Sequence, residues 1–275
     1  MDQPVDLRAY FERIGFRGVA APNLETLQAL HLLHTQAIPF EGFSPFLGEE
    51  VRLDAGSLQE KLVARGRGGY CFEQNVLFWR VLQAIGFQVI GLGGRVRLNW
   101  PEDFITPRGH MLLAITLPEG RYVADVGFGG LTLTGALRLE IGAEQRTPHE
   151  PARILESDGI HSVQVKLGPD WKTLYTFDLR ETFMPDYEMF NWYFAAHPQS
   201  PFVTGIILAR PEHGRRHTLR NTRYSVHDMT GGTQTRYLSN AEEFRTVVRD
   251  AFRLPLPSSR LFEEKLARLL SANDR

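Results

Sequence analysis

The sequence contains one cysteine, Cys71, and its surroundings favour a nucleophile. Cys71 follows the glycine-rich segment 65–70 and opens a run with helical periodicity. The first turn of a helix offers free N–H groups and the positive end of the helix dipole, and both stabilise a thiolate. Main-chain donors there can also hold the oxyanion of an acyl-transfer intermediate. A lone cysteine without this context is usually a small buried hydrophobic residue.

A thiolate nucleophile needs a base, and two strand-like segments supply a histidine and an aspartate. His110 opens the apolar segment 110–115, and Asp125 lies near the end of segment 122–126. Strands joined by the short turn 118–121 pair antiparallel, which brings both residues to one end of a hairpin. An aspartate there can orient the imidazole and stabilise the imidazolium. On spacing alone, a capping aspartate and a surface histidine are an equal alternative.

Other common site patterns are incomplete. The segments Gly66–Cys71 and Gly91–Val96 each lack the last glycine of the dinucleotide fingerprint. The sequence has neither a Walker-type G-K-[ST] nor a Gly-x-Ser-x-Gly elbow. His31 and His34 have the spacing of metal ligands, but no third ligand accompanies them. The sequence therefore predicts no metal cofactor.

Composition is that of a globular protein with balanced charge. The 275 residues are 43% hydrophobic and 23% charged, which suits one large domain or two to three smaller ones. The chain has 31 basic and 32 acidic residues and a net charge of -1, so it lacks the excess of positive charge that is typical of proteins that bind nucleic acids. A single cysteine excludes an intramolecular disulfide and indicates either a reducing compartment or a chain that is indifferent to redox state. Neither a signal peptide nor an apolar run of about 20 residues is seen, so we expect a cytoplasmic protein without membrane attachment.

Periodicity changes along the chain from helices to strands and then to a mixture. Helical spacing covers 5–14, 24–36, 58–64 and Cys71–Ile85. Strand-like segments follow at 88–92, 95–98, 110–117, 122–126, 137–139, 160–167 and 174–177. The last part alternates strand-like 203–209, 224–229 and 235–238 with helical 241–252 and 259–271. This segregated order predicts an α+β fold with a small barrel or sandwich in its centre.

Four motifs in order resemble those of the bacterial arylamine N-acetyltransferases. The segment Arg67–Asn75, RGGYCFEQN, resembles the active-site signature of that family, and Asp125–Gly130, DVGFGG, resembles its aspartate segment. Ile38–Glu41 matches an N-terminal PFE element, although Gly42 replaces the asparagine common there. Segment 191–202 resembles a later part of the bacterial members. The match runs from about Leu7 to Thr204.

The resemblance implies three regions and a cysteine-protease-like triad of Cys71, His110 and Asp125. A helical bundle at 1–86 would carry the nucleophile, a β-barrel at 87–200 the histidine and aspartate, and 201–275 an α/β lid. It also implies acetyl-CoA as the donor in a ping-pong reaction. The acceptors would be aromatic amines, hydrazines or N-hydroxyarylamines, and the protein would be a monomer or homodimer.

The resemblance further implies residues that contact the two substrates. Four apolar side chains would line the acceptor pocket: Phe40, Val96, Phe128 and Phe202. Plain core packing is the alternative for each of them. Gly129 and Gly130 would let the pantetheine arm of CoA pass, and Arg67 would brace the loop before Cys71. The alternatives for these three residues are a turn at a strand end and a surface arginine.

Three other functions use the same residues. A protease or transglutaminase-like enzyme would form the same acyl-enzyme from an amide. A non-catalytic binding protein would keep the scaffold and use the cysteine only for packing. An acyltransferase of the same shape would take a donor other than acetyl-CoA.

Overall fold

In the computed structural model, which describes residues 4–101 and 103–271, the chain begins with a series of α-helices. They are α1 (Leu7–Ile14), α2 (Leu24–Ala37), α3 (Phe43–Leu47), α4 (Ala55–Leu58) and α5 (Cys71–Ile85), with strand β1 (Phe40–Glu41) between α2 and α3. The prediction of one α-helix over 58–64 is wrong. Asp54 accepts a hydrogen bond from the Ser57 N–H and starts α4 earlier, and Gln59–Ala64 then forms a π-helical turn.

Helix α5 has the predicted bounds, and its position is fixed by packing. It ends at Gly86, whose φ of 103° is the left-handed conformation that glycine favours after a helix. Its apolar residues belong to the same buried cluster as Met111, Leu113 and Ile115. These three residues alternate along one strand, so one face of the sheet supports the helix that begins at Cys71.

Seven antiparallel strands form the central sheet. They are β2 (Gln88–Val96), β3 (His110–Leu117), β4 (Gly120–Ala124), β5 (Leu137–Arg138), β6 (Ala152–Ser157), β7 (Ile160–Leu167) and β8 (Asp170–Glu181), in the order β5-β4-β3-β2-β8-β7-β6. The edges approach through bridges from Ile141 to Ile154 and from Gln145 to Ala152, so the sheet is a nearly closed barrel. The prediction of two strands at 88–92 and 95–98 is wrong, because Gly93 and Gly94 continue the ladder with β3 and a single strand ends at Val96.

The last part contains a second antiparallel sheet. The strands of this sheet lie in the order β1-β9-β10-β11-β12. The elements of this last part of the chain are α6 (Met184–Ala196), α7 (Pro201–Thr204), β9 (Ile207–Glu212), β10 (Arg215–Arg220), β11 (Arg223–Asp228), β12 (Thr233–Tyr237), α8 (Ala241–Asp250) and α9 (Arg260–Ser271). The prediction of a strand over 203–209 is wrong at its start. Ser200 caps the helical turn α7, and the strand begins only at Ile207.

The architecture is therefore α+β, and the predicted divisions at 86/87 and 200/201 stay predictions. Strand β1 pairs with β9, Phe40 opposite Ala209, so the N-terminal part contributes to the C-terminal sheet. Phe43 and Phe46 of α3 lie in the apolar cluster of that sheet. Within the described ranges, no helix is both long enough and apolar enough to cross a bilayer.

Candidate active site

Cys71 is the first residue of α5 and is 6% exposed. Burial raises the pKa of its thiol well above the ordinary value, and the charge of Asp125 raises it further. The N–H groups of Phe72 and Met111 lower that pKa, but burial outweighs them. The N–H groups at the start of the helix thus lower the pKa of the thiol as expected, but their effect is smaller than that of burial. Burial therefore favours the neutral thiol of Cys71 over the thiolate in this structure.

His110 and Asp125 meet at one end of the β3–β4 hairpin, as predicted. Leu113 pairs with Ala124, and the Nε2 atom of His110 lies 2.7 Å from Oδ2 of Asp125. Asp125 follows the last residue of β4 and is fully buried. Burial by itself raises the pKa of Asp125, but His110 and other donors outweigh it and keep that pKa below the ordinary value. Asp125 is thus a carboxylate, and Nδ1 is the ring nitrogen of His110 left for proton transfer.

The other oxygen of Asp125 is held by Asn75 and a backbone group. Oδ1 accepts hydrogen bonds from Nδ2 of Asn75 at 3.0 Å and from the N–H of Gly127 at 2.9 Å. Nδ2 of Asn75 also donates to the carbonyl of Met111 at 2.8 Å, and its Oδ1 accepts from the N–H of Val126 at 3.1 Å. One amide therefore ties α5 to β3 and to the loop after β4. Sequence reasoning missed this role, although the i, i+4 spacing from the cysteine was a usable signal.

Two aromatic rings fix the imidazole of His110. The ring of Phe128 meets it edge-on with centroids 5.2 Å apart, and the ring of Tyr175 lies 4.8 Å away. Tyr175 is fully buried, and burial followed by the charge of Asp125 raises its pKa. Its hydroxyl consequently stays neutral beside the carboxylate.

One cavity of about 440 Å³ brings together Cys71, His110 and the substrate residues predicted from sequence. All six of the latter line it: Phe40, Val96, Phe128, Gly129, Gly130 and Phe202. Sequence reasoning missed further lining residues, including Leu98, Trp100, Phe194, Ile207 and Arg220. The volume and the mainly apolar lining, with several aromatic rings, are those of a small-molecule site.

The loop after Asp125 lies directly against the cysteine because Gly127 has no side chain, and a second special glycine, Gly129, follows in the same loop. A Cβ on Gly127 would come within 2.9 Å of the Cα atom of Cys71, so only glycine fits there. Gly129 has a φ of +91°, which disfavours any side chain. This backbone forms a wall of the cavity beside the thiol.

Arg67 lies outside the lining of this cavity and makes contacts that suit bracing. Its guanidinium is 2.7 Å from Oε1 of Glu41, and the other carboxylate oxygen of Glu41 accepts from the N–H of Phe43. The N–H of Glu41 in turn donates to the carbonyl of Gly69 at 3.1 Å. The glycine-rich loop before the cysteine is thereby joined to β1.

The histidines with metal-like spacing are used in hydrogen bonds. Nε2 of His31 accepts from the N–H of Asp125 at 3.2 Å. The ring of His34 bonds to the hydroxyl of Tyr10 and the side chain of Gln74. Across the described residues, no group of three His, Cys, Asp or Glu side chains is placed to hold a metal ion.

Comparisons with known proteins all find N-acetyltransferases, and the matches extend over most of the chain. A family model described as N-acetyltransferase matches residues 23–261. An arylamine N-acetyltransferase of Escherichia coli K12 is 39% identical over 272 residues, covering 98% of this chain and 96% of its own. The Salmonella typhimurium protein named arylamine N-acetyltransferase / N-hydroxyarylamine O-acetyltransferase is 42% identical over 79% of both chains. The structure of Mycobacterium marinum arylamine N-acetyltransferase in complex with CoA is 35% identical, with a TM-score of 0.88 and 97% of both chains covered.

Proposed function

Because this chain belongs to the arylamine N-acetyltransferase family, we propose that it transfers an acetyl group from acetyl-CoA to aromatic amines and arylhydrazines. The catalytic triad is Cys71, His110 and Asp125. The observation that carries the proposal is one cavity lined by the cysteine and by a histidine whose Nε2 is 2.7 Å from a buried carboxylate.

The first half-reaction forms an acetyl-cysteine. His110 takes the proton of Cys71, and Asp125 stabilises the resulting imidazolium. The thiolate attacks the acetyl carbonyl, the carbon–sulfur bond to CoA breaks, and the imidazolium protonates the departing sulfur. N–H groups at the start of α5 are the candidates for holding the oxyanion between these steps.

The second half-reaction uses the same groups in reverse order. The amine attacks the acetyl-cysteine, His110 removes the amine proton, and Cys71 leaves as a thiolate. An aromatic amine suits this step because it is weakly basic and therefore unprotonated near neutral pH. The cavity walls formed by Phe40, Phe128 and Phe202 would hold its ring.

The donor enters where the wall has no side chains. Gly129 and Gly130 leave room beside the thiol for the pantetheine arm, while the sheet of β9–β12 acts as the α/β lid over the site. The Salmonella relative carries O-acetylation of N-hydroxyarylamines in its name, and the same acetyl-cysteine here would serve that acceptor. A cytoplasmic monomer or homodimer stays a prediction from sequence.

The test is the intact mass of the purified protein after mixing with acetyl-CoA and no amine. We expect one added acetyl group on the wild type and none on Cys71→Ala. A subsequent addition of 4-aminobenzoate or an arylhydrazide should remove the group and yield the acetylated acceptor.

Two results would overturn the proposal. An unmodified wild-type protein that turns over no arylamine would exclude acetyl-CoA as donor. Acyl transfer from an amide or a longer acyl thioester, without transfer from acetyl-CoA, would instead favour one of the other acyl-enzyme functions.

A further inference from the structure

Among the described residues that line the cavity beside Cys71, Arg220 is the one that is always charged, whereas His110 is charged only when it is protonated. Arg220 is the last residue of β10, and it is exposed where it lines this mainly apolar cavity, at its mouth. No carboxylate within the described ranges lies within ion-pair distance of it, whereas Arg67, Arg210 and Arg216 all have such partners. An unpaired guanidinium facing an apolar cavity is available to a ligand.

Strand β10 directs this side chain toward the site. Alternate residues of a strand share a face, so Arg216, Thr218 and Arg220 point the same way. Arg216 pairs with the buried carboxylate of Glu150 at 2.5 Å. The methyl group of Thr218 lies 3.1 Å from where a Cβ of Gly130 would be. One face of β10 therefore contacts Glu150 through Arg216 and the cavity wall through Thr218. The third residue on that face, Arg220, lines the cavity itself.

The backbone that holds Arg220 is well fixed. Arg220 pairs with Ile207, which also lines the cavity. The next residue, Asn221, donates its N–H to the carbonyl of Ile206 at 2.8 Å and accepts the N–H of Ile206 on Oδ1 at 3.0 Å. The backbone of Arg220 is therefore already ordered, so that ligand binding has to order only its side chain.

From this geometry, and resting on the proposed function, we infer that Arg220 selects aromatic acceptors that carry a carboxylate, the aminobenzoate class. The amine of such an acceptor must point at the acetyl group on Cys71. Its ring then lies among the aromatic side chains, and a carboxylate on the far side of the ring reaches the mouth. A planar guanidinium binds a carboxylate through two parallel hydrogen bonds, and the apolar surroundings screen that pair less than open water does.

The phosphates of CoA offer the same anionic chemistry to Arg220. Donor and acceptor occupy the site in turn. Measuring each half-reaction alone therefore shows whether Arg220 binds the phosphates of CoA or the carboxylate of the acceptor. The acceptor half-reaction is isolated by loading the enzyme with p-nitrophenyl acetate, which contains no phosphate. The donor half-reaction is the rate of acetyl-cysteine formation from acetyl-CoA.

The experiment compares 4-aminobenzoate with its neutral analogue 4-aminobenzamide in wild type and Arg220→Gln. We expect the variant to lower the second-order rate of deacetylation by aminobenzoate about tenfold and to change the rate with the amide by less than about twofold. Arg220→Lys should retain part of the preference. Arg223→Gln is the matched control, because Arg223 lies opposite Arg220 in β11 but does not line the cavity.

Two outcomes overturn the inference. An equal decrease in the rate of deacetylation by both acceptors would mean that Arg220 does not bind the carboxylate. A loss confined to acetylation by acetyl-CoA would assign the arginine to the donor phosphates. Failure of the proposed function is separate, because it would appear in the wild type as an enzyme that forms no acetyl-cysteine.

Discussion

Replacing Asn75 tests whether the carboxylate of the proposed triad depends on the helix that begins at Cys71. Asn75→Ala removes hydrogen bonds to Asp125, to the carbonyl of Met111 and to the N–H of Val126, at 3.0, 2.8 and 3.1 Å. All of these groups are buried, and Asn75 itself is fully enclosed. The variant therefore leaves three polar groups without this partner.

The expected loss of stability follows from the kinds of bond removed. Two neutral bonds contribute about 1 kcal/mol each and the bond to the carboxylate about 1.5–3 kcal/mol, so the free energy of unfolding should fall by roughly 3.5–5 kcal/mol. Acetyl-cysteine formation should slow by roughly 10- to 100-fold, because His110 is positioned by the carboxylate that Asn75 holds. Asn75→Asp should be worse for catalysis, since it places a second carboxyl group against Asp125.

Urea unfolding and the single-turnover rate of acetyl-cysteine formation measure the two effects. The matched control is Gln28→Ala, which removes an amide that bonds the backbone of Ala136 at 2.7 and 2.9 Å, away from the cavity lining. It should lose stability but keep the acetylation rate. An Asn75→Ala protein that acetylates at the wild-type rate would refute the reasoning.

Two further predictions concern charge. Asp125→Asn keeps the shape but removes the charge that stabilises protonated His110, so acetyl-cysteine formation should slow by roughly 10³-fold; a wild-type single-turnover rate would exclude Asp125 from the triad. Burial lowers the pKa of His31 from 6.5 to about 4 and that of His34 to about 3. As the pH falls below 6.5, these histidines become protonated in the unfolded chain but stay neutral in the folded protein. The free energy of unfolding that is present at pH 7 should therefore decrease, by roughly 2 kcal/mol per histidine at pH 5. Urea unfolding at both pH values measures the loss, and imidazole NMR signals that titrate near pH 6.5 in the folded protein would contradict it.

Local sequence signals predicted the elements that carry Cys71 and His110 of the candidate site. The helix over Cys71–Ile85 and the strand over 110–117 are confirmed with their predicted bounds, because glycine, turn and periodicity signals all agree there. Helix α6 was not predicted. Its apolar residues do not follow one helical face, and Met189 and Trp192 are exposed while Tyr187 is buried.

Sequence by itself determined the α+β order of elements, the family and the three residue types of the candidate triad. A helix start and a hairpin are local features, so residues near in sequence specify them. The tertiary structure decided which distant side chains share the cavity, because Phe194 and Arg220 lie on separate elements that reach Cys71 only after the barrel and the second sheet have packed. It also decided the ionisation of the site: burial and the partners of Asp125 depend on contacts between α5, β3 and the loop after β4.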